Sequence, residues 1–144
     1  MAFFTNVDAT QKFRLGTIVK DTAGNEYIYL KGVASVVAED WVVYDEAFVT
    51  TRTVANSLGP VAIAMAAVDA TTKFGWFGVS GKFAGDVATG GDNAKVWVTS
   101  TAGRVDNTDV AVDLVSNAVQ RSATASNSAT FQIRYPFCLN EVYN

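Results

Sequence analysis

Residues 73–85, Lys-Phe-Gly-Trp-Phe-Gly-Val-Ser-Gly-Lys-Phe-Ala-Gly, place four glycines and four large aromatic rings in thirteen positions. Strand alternation from Lys73 sends Phe77, Val79 and Phe83 to one face and Phe74 and Trp76 to the other. One set can line a domain core. The other has to meet a second layer of the same domain or a partner molecule. A small barrel has only one packed interior, which favours the partner. Gly75, Gly78 and Gly81 leave bare spots where a neighbouring backbone or ring can approach closely.

The rest of the chain repeats the strand theme in short pieces. Residues 15–20 (LGTIVK) and 25–31 (NEYIYLK) are rich in β-branched and aromatic residues and flank the polar turn DTAG, a β-hairpin signature. In its second arm Tyr27 and Tyr29 share one face, with Glu26, Ile28 and Leu30 on the other. Trp41 and Val43 alternate in the same way against Val42 and Tyr44. After Leu58-Gly59-Pro60, the apolar run 61–68 has the length of a buried strand. Residues 94–100 form another strand, followed by a turn through Gly103. The stretch 105–119 is the one helix candidate, with Thr108 as cap and Val112, Val115 and Val119 along one side; valine is a mediocre helix former. A polar low-complexity loop at 121–130 precedes a last strand, 130–135, which carries Phe131, Ile133 and Tyr135 on one face and which Pro136 is expected to end. The expectation is an all-β fold: a small single-domain β-barrel or sandwich of short antiparallel strands, with an N-terminal arm (1–14), one β domain (15–144) and at most one short helix.

The chain's 144 residues suit one domain, and 49% hydrophobic residues supply a core. Only 17% are charged, below the usual share of about a quarter. Either another molecule covers part of the surface, or Ser, Thr and Asn carry its polarity. The net charge is −3 and the basic residues are scattered singly along the sequence, so no nucleic-acid partner is expected. No apolar run reaches the length of a membrane span, and residues 1–13 lack the basic start and long apolar core of a signal peptide, so no membrane partner or export is expected. Cys138, the lone cysteine, reads as a small buried hydrophobe.

The chemistry available to this chain is narrow. It has no histidine, which removes the commonest general base and most transition-metal sites. GVSGK at 78–82 departs from a nucleophile elbow, because Gly81 follows Ser80 directly, and from a phosphate loop, because Trp76 and Phe83 stand where a glycine and a hydroxyl are needed. The acidic candidates Glu39-Asp40, Asp45-Glu46 and Asp106, Asp109, Asp113 all lie beside turn signals, where carboxylates serve as turn formers and caps. No catalytic residue, cofactor or metal is expected. Phe3 and Phe4 precede the first strand with no periodicity; they either tuck back onto the domain or dock on a neighbouring subunit.

The succession 15–32, 59–85 and 95–105 resembles the small head-decoration, or capsid cement, proteins of tailed bacteriophages. The elements that carry the resemblance are Gly16-Thr17-Ile18-Val19, Val61-Ala62-Ile63-Ala64, Gly75-Trp76-Phe77-Gly78-Val79-Ser80-Gly81 and Thr101-Ala102-Gly103, in that order. The resemblance implies a non-enzymatic virion protein on the outer capsid surface, assembled in the host bacterial cytoplasm. Its partners would be the major capsid protein and further copies of itself, as a homotrimer. On that reading Phe3, Phe4 and Phe13 make the arm contact, and Phe74 and Trp76 pack subunits together. Two other readings stay open: a tail-fibre or receptor-binding domain with Trp41, Trp76 or Trp97 as a sugar platform, and a small-molecule-binding β-barrel.

Overall fold

In the computed structural model, which describes residues 2–141, a 3-10 turn (Ala2–Thr5) leads into eleven strands. They are β1 (Val7–Asp8), β2 (Ile18–Lys20), β3 (Glu26–Lys31), β4 (Trp41–Tyr44), β5 (Thr50–Arg52), β6 (Gly59–Ala64), β7 (Phe74–Asp86), β8 (Lys95–Val98), β9 (Val105–Asp106), β10 (Leu114–Gln120) and β11 (Ser128–Cys138). The hairpin of β2 and β3 forms where its turn chemistry places it. Asp21 Oδ1 accepts from the amides of Ala23 and Asn25, both at 2.9 Å, and Gly24 adopts φ +89°.

All eleven strands join one antiparallel sheet, running β2-β3-β7-β6-β11-β10-β8-β9, with β1 on β7 and β4 between β5 and β6. A parallel bridge between Val87 and Val105 ties the end of β7 to β9, so the sheet curls back on itself. The larger core cluster fills one side of β7 with Tyr29, Trp41, Trp76, Phe83, Phe131 and Ile133. A second cluster, with Ile28, Leu30, Val42, Phe77 and Val79, fills the other side. Val36 and Val68, from the segments that follow β3 and β6, close over that second face. The expected division of β7 into a core face and a face left for a partner is therefore corrected: loops of the same chain cover it.

The alternation in β3 and β4 holds as read, with Tyr27, Tyr29 and Trp41 on one side and Ile28, Leu30 and Val42 on the other. In β7 it fails after Val79. Tyr27 pairs with Gly78 but Glu26 with Ser80, so Val79 is an extra residue, and Gly81 lies at φ +127°. That bulge reverses the parity, and Phe83 turns into the cluster of Trp76 rather than that of Phe77.

Three further expectations change. The stretch 105–119 is not helical: it is β9, a turned segment and most of β10. Its valines favour pleated backbone, and Val112 stands at φ +72°, outside any helix. The apolar run 61–68 leaves the sheet after Ala64, which frees Val68 to cap the second cluster. Pro136 does not end the last strand. Ser116 pairs with Phe137 and Ala118 with Ile133, so Arg134, Tyr135 and Pro136 bulge opposite Asn117 alone, and pairing resumes to Cys138. A bulge is where a strand tolerates a residue without an amide hydrogen.

Bare backbone at Gly78 matters to this packing, because a Cβ there would lie 2.6 Å from the Phe83 ring. Gly78→Ala is expected to cost about 1–3 kcal/mol in urea unfolding. Gly91→Ala, where a Cβ meets nothing within 4 Å, should leave the unfolding midpoint unchanged or slightly raised.

Candidate protein interface

The inward tyrosines of β3 organise the site. Tyr29 pairs directly with Trp76 across β7, and their rings lie 5.0 Å apart. Tyr27 pairs with side-chain-free Gly78, and its ring packs edge-on to Phe83 at 5.4 Å. Phe4 stacks on the other face of this group, 3.8 Å from Tyr27 at an interplanar angle of 10°.

A polar latch holds the N-terminal segment over these rings. Asp8 is buried in β1 and accepts the Tyr29 hydroxyl at 2.7 Å. Its other oxygen meets Lys12 Nζ at 3.3 Å, and the Lys12 amide donates to the Tyr29 hydroxyl at 3.2 Å. Fixing residues 8 and 12 brings Phe13 onto both Tyr29 (5.2 Å) and Trp76 (5.3 Å). Phe3 then bridges Phe4 (4.9 Å), Trp76 (5.6 Å) and Phe13 (6.0 Å).

The structure thus gathers all five sequence-selected rings into one cluster: Phe3, Phe4, Phe13 and Trp76 in contact, and Phe74 stacked on Tyr29 at 6.3 Å. Their exposures differ. Phe4 and Trp76 are only 6% and 2% exposed, so both are packed within the chain itself. Of the two placements open to the N-terminal phenylalanines, Phe4 takes the tucked one. Phe3 and Phe13, at 39% and 37%, present a pair of half-open rings backed by the buried rings of Phe4, Trp76 and Tyr29. Tyr27, Tyr29 and Asp8 were missed as members. The tyrosine alternation was visible, but the partner of each hydroxyl depends on pairing between distant segments.

The carboxylate candidates act as turn and loop acceptors. Asp45 Oδ1 takes the amides of Ala47 (2.9 Å) and Val49 (3.0 Å), Asp106 that of Thr108 (3.0 Å), and Asp113 that of Asn56 (2.7 Å). Asp40 is buried, which raises its pKa, while the Val37 amide and the Arg52 guanidinium at 2.9 Å oppose the rise. Glu39 accepts the Ser128 hydroxyl at 2.5 Å. Trp41 and Trp97 do not form a platform with Trp76: Trp41 is buried against Phe131 at 5.0 Å, and Trp97 lies in β8. Burial pushes the Cys138 thiol up to about 12, in keeping with a core hydrophobe.

No protein-family model matches the chain, and no curated protein matches it significantly.

Two measurements test the cluster. Trp76→Ala should cost about 3–5 kcal/mol of folding stability, whereas Phe13→Ala, truncating a half-open ring, should cost about 1 kcal/mol. The second is alkaline unfolding. Burial and the hydrogen bonds to Asp21 and Asp8 raise Tyr27 and Tyr29 from 10.0 to about 12. The folded chain keeps these protons while the unfolded chain releases them, so stability holds below pH 10 and falls as pH rises towards 12. Tyr29→Phe should make that fall shallower in melting temperatures recorded across the window.

Proposed function

We propose that this chain is a structural virion protein that binds the outer surface of a bacteriophage capsid and stabilises its lattice, acting as a homotrimer. The observation that carries the reading is the exposed Phe3–Phe13 edge. Half-open aromatic rings held by a stiff backing make good contact anchors, because little side-chain freedom is lost on docking. The ordered resemblance of residues 15–105 to head-decoration proteins supplies the partner. The all-β domain supplies a stiff support. On a lattice, many copies of a modest contact add up to strong retention when the geometry lets them engage together. A cyclic trimer braces three neighbours at once.

The test uses the major head protein encoded by the same genome, assembled into shells and sedimented with this protein. Wild-type protein should pellet with the shells, and Phe3→Ser/Phe13→Ser should weaken retention by about tenfold or more while the chain stays folded. Light scattering behind a sizing column should report three copies per particle. A genome without a head gene, or wild-type protein left in the supernatant, would overturn the reading.

A further inference from the structure

Strand register assembles a cationic surface that the linear sequence hides. On the outer side of the sheet Lys82 of β7 lies directly opposite Gln132 of β11, and Gln132 opposite Val119 of β10. Two positions along β11, Arg134 pairs with Ser80 and points outward with Gln132. Arg121, just past β10, donates from Nε to Gln132 Oε1 at 3.0 Å and from Nη1 to Asn93 Oδ1. With Asn25 and Asn117 these residues line an open depression of about 700 Å³. None of its lining residues is acidic.

Of the eight basic residues outside the depression, Lys12, Arg52, Lys73 and Arg104 have an aspartate partner. What distinguishes the depression is that three cations share one surface lined by no carboxylate. Lys82 and Arg134 have no ion pair among the described residues, and Arg121 meets only neutral amide oxygens. Diagonal neighbours on adjacent strands lie about 7–8 Å apart, and like charges so placed repel. The arrangement concentrates positive charge on a protein of net charge −3, with Glu26 across Ser80 from Arg134.

We propose that this depression binds an acidic polypeptide segment in extended conformation, with its carboxylates on Lys82, Arg121 and Arg134. Alternate side chains of an extended chain recur at about 7 Å, close to the diagonal spacing of Lys82 and Arg134. Gln132, whose Oε1 faces Arg121, keeps its NH₂ free to donate to a peptide carbonyl, and the Asn117 amide is also unengaged among the described residues. A nucleic acid fits less well. No aromatic ring lines the depression to stack a base. This inference stands apart from the capsid reading and survives if that reading fails.

The experiment measures fluorescence anisotropy of labelled hexaglutamate, and separately of a twelve-residue oligothymidylate, at low salt. Hexaglutamate should bind saturably and lose affinity steeply as sodium chloride is added. Lys82→Glu and Arg134→Glu should each weaken it by about tenfold, and Arg14→Glu, the same charge change elsewhere on the surface, by less than about twofold. Melting curves establish that the variants fold, with Lys82→Gln and Arg134→Gln used if the reversals do not. Three results would each overturn the proposal: no saturable hexaglutamate binding, an equal loss in Arg14→Glu, or tighter oligothymidylate binding through Lys82 and Arg134.

Discussion

Strand β7 is the member on which the rest of the structure depends. It pairs along its length with β1, β3, β6 and β11, and both of its faces are buried in the half that pairs with β3. A strand serving so many neighbours cannot stay flat and regular. The bulge at Val79 and the positive φ of Gly81 let its first half face β3 and β6 and its second half face β11. The bare backbone at Gly78 then gives Phe83 room to join Trp76 and Tyr27. Glycines that make the segment look like a loop in one dimension act in three as clearances for rings and as a bend.

The N-terminal segment depends on that strand in turn. The short β1 strand adds only two residues to the edge of β7, too little pairing to hold by itself. The buried Asp8–Tyr29 hydrogen bond and the Phe4–Tyr27 stack make up the difference. A buried carboxylate is costly unless its oxygens are bonded, and here a phenol and an ammonium meet them. The latch thereby makes the arm one side of the aromatic cluster, with Phe3 and Phe13 half-open.

The outer surface thus carries two features of opposite kind. One is apolar, made by the arm and exposed through Phe3 and Phe13. The other is cationic, made by β7, β10 and β11 together. The first suits a partner with a hydrophobic recess and the second one with carboxylates. The two proposed contacts therefore rest on separate chemistries.

The sequence by itself determined the β class, the DTAG hairpin, the two-faced alternation of β3 and β4 and the burial of Cys138. These follow from local turn chemistry and from the two-residue period of side chains, which need no knowledge of neighbours. It also singled out Phe3, Phe4, Phe13, Phe74 and Trp76, but as contacts to partners; that these rings gather into one cluster of the same chain was decided by the tertiary structure. Only the tertiary structure decided the parity of β7 beyond Val79, the tucked position of Phe4, the strand made from 114–120 and the continuation past Pro136. Each turns on a bulge or on pairing between segments far apart in the chain. One inserted residue reverses every side chain after it, and nothing local marks where the insertion falls. The cationic surface is the clearest instance: basic residues that look scattered along the chain become neighbours only once β7, β10 and β11 are in register.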